Sequence, residues 1–443
     1  VKQEQRPTPY KVGDRFIGTI IALTFEGKGI IRTQDNFVIF VPYTARGDEV
    51  ECEILTLKKG YAEAKVIHLI RPSLSRTEPR CPYFGQCGGC QLQHVSYQEQ
   101  IALKEQAIRD SFRKFAQLDS IPLKIHCAEQ RWGYRRHIYL TLLPCQKGYK
   151  IGYIANDHHS LLEIDECPIF IGPSCTIIKE LKAAVARMSS SEGGGKVMIV
   201  KNPSGDFLLH FHFQKWSSFN ASIIKSCKED FPQWQQVVIS SPTRSLHLGE
   251  TCLQTSMLGL QISYASSSFM QNHPDESAKI YSTLAEITSR IRPQKILDLY
   301  CGIGISSLIL SSFAEVIIGI EENSTAIKMA NKNAIENKKT NIQFIKDKAE
   351  HALGHVLSKN YWDMVLVNPP RSGLDKSVVE ELVRHQPKDL IYVSCMPATL
   401  ARDIKCFQEK GYKVQECQAF DMFPQTSHVE TLVHLKNFCL SNP

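Results

Sequence analysis

The sequence predicts an α/β protein. Its C-terminal part reads as a doubly wound, mostly parallel sheet, preceded by a small β-barrel and a mixed α+β middle region. Three observations carry this. From about residue 280 onward, short apolar runs alternate with helical periodicity, the pattern of strands joined by crossover helices. Five β-rich runs punctuated by glycine fill residues 10–70. Between these regions, cysteine and glycine crowd residues 81–90. The chain of 443 residues is accordingly divided into 1–72, 73–260 and 261–443.

Residues 15–23, 29–33, 36–41, 48–57 and 62–70 alternate in polarity or are rich in β-branched side chains. Gly13, Gly27, Gly29, Gly47 and Gly60 separate them. So many short strands in so few residues predict a barrel of the OB type. Three prolines between positions 72 and 82 make a linker. A helical pattern spans 97–115, whereas 121–260 mixes short strands with loops and has no periodic identity of its own. The stretch 189–195 (SSSEGGG) reads as a loop.

The C-terminal region gives a helix at 275–291, a strand at 295–299 and a glycine loop. A helix at 306–313, a strand at 316–320, a helix at 325–337 and strands at 342–345, 364–367 and 390–393 follow. This is a Rossmann-like succession. Gly302 and Gly304 follow the first strand, where backbone must approach a ligand closely. Glu321 closes the next strand, placed to accept hydrogen bonds from a ribose. The third glycine of a dinucleotide fingerprint is missing, with Ser307 near its place, which favours S-adenosylmethionine over a nicotinamide dinucleotide.

Three further strand ends carry chemistry. Asn368-Pro369-Pro370-Arg371 ends an apolar strand, and its Arg371 suits a phosphate or carboxylate. Cys395 lies between the strand at 390–393 and a helix at 398–409, where a thiol near a helix N-terminus can act as a nucleophile. Glu430 opens the last apolar strand, where burial would raise its pKa and suit it to take a proton, with His428 a competing base.

Cys81-x5-Cys87-x2-Cys90 is a metal signature, with Gly85, Gly88 and Gly89 bending the chain. Three thiolates need a fourth ligand. Cys167 is the favoured candidate over Cys127, Cys145 and Cys175, and spacing does not separate zinc from an iron–sulfur cluster. Fifteen cysteines, an odd count, in a chain long enough to bury a core argue against a disulfide scaffold. The first residues lack the apolar stretch of a secretory signal, so a reducing, cytoplasmic setting is expected. No apolar run is long enough to span a membrane.

Net charge is +7. Residues 1–72 hold 11 basic and 9 acidic side chains, residues 73–260 hold 21 and 16, and residues 261–443 hold 20 of each. The whole excess therefore lies in the first 260 residues, which points to an anionic partner held there. Arg131, Arg135 and Arg136 form a candidate basic patch, and Trp132 and Tyr134 beside them read equally as base-stacking or as core-packing residues.

Taken together, these motifs resemble the RNA uracil-C5 methyltransferases, in the branch with an N-terminal TRAM barrel and an iron–sulfur cluster. The resemblance covers essentially the whole chain. It implies a four-iron four-sulfur cluster on Cys81, Cys87, Cys90 and Cys167. It assigns S-adenosylmethionine to Gln271 (in Phe269-Met270-Gln271-Asn272-His273), Tyr300, Gly302, Gly304, Glu321 and Asn368. It makes Cys395, in Ser-Cys-Met-Pro-Ala-Thr-Leu, the nucleophile and Glu430, in His-Val-Glu, the base. RNA is the implied partner, ribosomal rather than transfer RNA, and a monomer the expected state. The chain departs from the family pattern at Asn368, where Asp is usual, and at His273, Met396, Ile305 and Lys348 beside Asp347. Rival readings are a radical S-adenosylmethionine enzyme, an amino-methyltransferase and a non-catalytic RNA-binding relative.

Overall fold

The computed structural model describes residues 10–191, 193–202, 205–249, 252–266, 268–359 and 361–438. The chain forms two compact units, one reaching to Ala107 and including Pro424–Ser427, the other Ile108–Phe423 and the residues from His428.

The first unit is built on a six-stranded sheet. Its order along the sheet is Arg15–Thr19, Glu49–Lys58, Tyr61–Arg71, Val38–Val41, Gly29–Arg32 and Ala22–Leu23. The single run expected at 15–23 splits into two strands, because the Ile20 N–H turns to the Asp48 carbonyl at 2.8 Å. Alternation buries Ile31, Ile39, Val41, Val50, Ile54 and Ala62 in one core. Asp48 is fully buried and paired with Arg76 at 2.8 Å, and it also accepts the Ala45 and Ser73 N–H groups. Those extra hydrogen bonds are what make a buried carboxylate tolerable. Pro424–Ser427 completes this unit. The Gln425 carbonyl accepts the N–H groups of Gln91 and Leu92, and the Gln100 and Gln425 side chains also bond at 3.1 Å.

In the second unit, the middle region resolves into a seven-stranded sheet. Its order is Leu161–Glu163, Tyr149–Ile154, His137–Pro144, Gly195–Lys201, Phe207–Phe213, Gln236–Ser240 and Ser245–Leu248. Phe211, Phe213 and Trp234 are buried in its core, helix Ser174–Ala186 packs on strand Tyr149–Ile154, and helix Ser218–Asp230 packs on that helix. Strands Leu253–Met257 and Leu260–Tyr264 form a separate hairpin.

The last part is an eight-stranded sheet ordered Ile342–Lys346, Val316–Glu321, Lys295–Leu299, Met364–Val367, Asp389–Ser394, Glu430–Asn437, Tyr412–Phe420 and Leu123–His126. The first five strands are parallel and Glu430–Asn437 runs antiparallel to its neighbours. The doubly wound α/β expectation is therefore met. Helix Pro274–Ile291 begins with proline in its first turn, is capped by the His273 side chain and carries acids first and Arg290 last, all favourable to the helix dipole. Two helices, Ala349–Lys359 and Lys376–His385, are additions to the sequence reading. So is Leu123–His126, which leaves the middle region to pair with Tyr412–Phe420. Among the described residues no helix is long and apolar enough to cross a membrane.

Candidate active site

The site lies at the carboxyl ends of the parallel strands. Lys295–Leu299 is buried from Ile296 to Leu299 and feeds Tyr300, whose φ of 62° starts the turn. Gly302 follows at φ 56°, and a Cβ placed on it would meet nothing within 4 Å, so its open side faces space a ligand can occupy. Gly304 is glycine for a different reason. At φ 80° its Cβ would stand 2.6 Å from Phe344 Cζ, so it is forced by packing.

Glu321 ends the neighbouring strand, and its carboxylate accepts the N–H groups of Gly302 at 3.2 Å and Asn323 at 2.8 Å. Both bonds orient the glycine turn and leave further acceptor capacity for ribose hydroxyls. A cavity beside this turn is lined by Gln271, Tyr281, Tyr300, Gly302, Ser306 and Asn368. The cofactor candidates Gln271, Tyr300, Gly302 and Asn368 thus share one pocket.

Asp298 lies inside the strand at 295–299 and has no role in the sequence reading. It is buried at 1% exposure and accepts the hydroxyls of Ser306 and Ser307, both at 2.6 Å. Burial pushes its pKa up to about 6. The bond it makes with Ser307 explains why a serine stands near the missing glycine: the hydroxyl ties the helix start to the strand.

The nucleophile and base candidates meet by register. Ser394 pairs with Thr431 across antiparallel strands, so Cys395, one residue on, and Glu430, one residue back, share the same strand ends. Glu430 is buried at 3% exposure, which pushes its pKa up to about 8 against the opposing pull of Arg371. The Cys395 thiol is raised by burial and by Glu430, and lowered by the Arg371 guanidinium that hydrogen-bonds to it. Arg371, on the turn after Asn368-Pro369-Pro370, is thereby the cation common to both groups. Its loop is anchored by Asp403, which accepts the Leu374 N–H at 2.9 Å and the Tyr392 hydroxyl at 2.7 Å.

Several expectations are revised. Tyr134 is fully buried and stacks on His273 at 4.8 Å, so it does not present a face to a base. Arg136 is buried as well, leaving Arg131 as the exposed member of the three arginines. His273 is a structural residue: its ring also contacts the Gln130 carbonyl at 2.9 Å. Ile305 is buried and Met396 caps helix Pro397–Gln408. Lys348 is exposed, with Glu322 at 4.0 Å.

The cysteines of the proposed cluster divide between the units, Cys81, Cys87 and Cys90 in the first and Cys167 in the second. Cys87 Sγ accepts the Gly89 N–H at 3.4 Å, a ligand-like turn. Cys167 is buried, with Tyr153 Oη at 3.5 Å from its sulfur. Among the described residues, however, no three His, Cys, Asp or Glu side chains gather to hold a metal ion.

A family model described as tRNA (Uracil-5-)-methyltransferase matches residues 250–438, and a TRAM domain model matches residues 15–67. An uncharacterized RNA methyltransferase of Protochlamydia amoebophila is 41% identical over 421 residues, spanning 95% of this chain and 97% of that one. The chain belongs to the uracil-5-methyltransferase family. Another uncharacterized RNA methyltransferase, from Clostridium acetobutylicum, is 31% identical and spans 93% of this chain and 94% of that one. The fold of this uracil-5-methyltransferase matches that of the Pyrococcus abyssi tRNA (uracil-54, C5)-methyltransferase, crystallised with S-adenosyl-L-homocysteine. The TM-score is 0.74 at 24% identity, covering 95% of this chain and 100% of that one. The protein is an S-adenosylmethionine-dependent RNA methyltransferase with an N-terminal TRAM domain.

Proposed function

We propose that this uracil-5-methyltransferase methylates C5 of a uridine in ribosomal RNA through a covalent bond between Cys395 and C6. The observation that supports it most is the meeting of Cys395 and Glu430 at adjoining strand ends, with Arg371 acting on both. Uracil C5 is a poor nucleophile until a thiolate adds to C6. The Cys395 Sγ–C6 bond forms and the C5=C6 electron pair moves into an enolate. C5 then attacks the methyl carbon, and its bond to the sulfonium breaks to leave S-adenosylhomocysteine. Glu430 takes the C5 proton, the C5=C6 bond re-forms and the thiolate is expelled. Gln271, Tyr300, Gly302, Gly304, Glu321 and Asn368 are proposed to hold the methyl donor. A base in folded RNA must be splayed out to reach this site.

The test is RNA containing 5-fluorouridine, which has no C5 proton to lose. With S-adenosylmethionine, a denaturation-resistant protein–RNA complex is expected, and it should vanish in Cys395→Ala. No complex with methyl transfer to adenine would support an amino-methyltransferase, and no transfer at all a non-catalytic relative. Ribosomal and transfer RNA fractions offered separately decide the substrate.

The four-iron four-sulfur cluster is a separate proposal that rests on the cysteine spacing and the family resemblance. No step above passes through it. Iron and acid-labile sulfide in protein purified without oxygen, lost in Cys87→Ser, are the expected result.

A further inference from the structure

The seven-stranded sheet has a second face that the chemistry above does not use. In register across it stand Tyr139, Met198, His210, Val238 and His247, with Lys196, His212, Ser240 and Ser245 in the next row. Helices and aromatic side chains bury the opposite face. On this one, Met198, Val200 and Leu208 pack into the core shared with the hairpin. The rest of the face is a groove of about 370 Å³ lined by Tyr139, Lys196, His210, His212 and Phe269. That is the size of a small-ligand site.

Three properties select its occupant. Lys196 and Arg136 are its charged lining residues, and none of the described lining residues is acidic. Tyr139 and Phe269 are 52% and 67% exposed, so aromatic faces stand open to solvent. Phe269 and Met270 also line the cavity beside the glycine turn, so the groove adjoins the proposed methyl-donor pocket.

The histidines add a recognition element. Ser240 Oγ lies 2.7 Å from His210 Nε2 and 2.9 Å from His212 Nδ1. One hydroxyl hydrogen cannot serve both ring nitrogens, so Ser240 donates to at most one ring and accepts from at least one. Burial, with His212 and His247 nearby, pushes His210 down to about 4, which keeps it neutral near pH 7. With the hydroxyl donating to one ring, the two rings take the same tautomer, because the serine meets Nε2 of one and Nδ1 of the other. The two remaining nitrogens, His210 Nδ1 and His212 Nε2, are then one donor and one acceptor. A donor beside an acceptor is the complement of a nucleobase edge.

Resting on the methyltransferase reading, we infer that this groove is a subsite for the RNA strand flanking the target uridine, with Tyr139 stacking a base and the His210–Ser240–His212 triplet reading its edge. The inference adds a second contact region to the RNA path, outside the reacting centre.

The probes are a fluorescein-labelled oligouridylate long enough to cross the groove and a labelled uridine trinucleotide, followed by anisotropy. Tyr139→Ala and the double substitution His210→Gln with His212→Gln are each expected to weaken the long oligomer about tenfold, the scale of one lost stacked base. Trinucleotide and S-adenosylhomocysteine binding should stay unchanged, and Ser240→Ala should reproduce part of the loss. Unchanged affinity for the long oligomer overturns the inference, as does an equal loss for both oligomers. Failure of the methyltransferase reading would show differently, as no 5-fluorouridine adduct in the unsubstituted protein. Under the inference, Tyr139→Ala still forms that adduct when RNA is saturating.

Discussion

Glu430 and Cys395 repel each other as anions, and Arg371 is the cation that makes their joint ionisation tolerable. The proton-accepting form of Glu430 fills only as pH rises to about 8, so single-turnover methyl transfer should climb with pH to about that value. In Glu430→Gln the C5 proton has no acceptor, and one S-adenosylhomocysteine per site with a stalled covalent complex is expected. Stability carries the opposite sign. A carboxyl whose pKa rises on folding from 4.5 to about 8 stabilises the fold fully below pH 4.5 and loses that contribution as pH rises to about 8. Glu430→Gln should therefore melt close to the parent protein in acid. Above pH 8 it should be more stable by on the order of a few kcal/mol, read by denaturation at the two pH values. Both residues were legible in the sequence because a Cys and a Glu at the ends of apolar strands have a predictable address. Arg371 was legible as a charge but not as their shared neighbour. Asp298 and Asp403 were not legible, since their roles depend on where a helix start falls against a strand or loop. Tyr134 stayed open between stacking and packing because an aromatic residue amid arginines looks the same buried or exposed.

At the scale of elements, the glycine turn shows two glycines selected by different forces. Gly302→Ala puts a methyl group into open space on the ligand side, at a backbone cost of about 1 kcal/mol. It should abolish S-adenosylhomocysteine binding measured by calorimetry and lower the melting temperature only slightly. Gly304→Ala must displace the Phe344 ring and should cost about 1–3 kcal/mol of stability, partly recovered by Phe344→Leu. Apart from helices Ala349–Lys359 and Lys376–His385, the helices and strands from Pro274 to Ser394 were legible within a few residues because their local periodicity and caps agree with the fold. The seven-stranded sheet was not. All but one of its pairings join strands consecutive in the chain, but those short runs carry no clear periodicity, and Leu123–His126 is too short to announce that it pairs into a distant sheet.

For the whole molecule, the charge excess in the first 260 residues sets how RNA is gathered. Methyl transfer at limiting RNA should fall steeply as sodium chloride rises, through KM, while S-adenosylhomocysteine binding to the neutral C-terminal region stays nearly flat. Equal salt sensitivity of the two would contradict that division of labour. One further consequence concerns the order in which a ribosome delivers the chain. The N-terminal unit is finished by Gln425, which lies 325 residues after its partner Gln100. During synthesis that unit waits, with the Gln91 and Leu92 amides lacking this acceptor, until Gln425 has emerged. A nascent chain halted shortly before Pro424 should leave residues 91–100 open to protease, and release of a full-length chain should close them. The later segment thus acts as a latch on a unit laid down 325 residues before it.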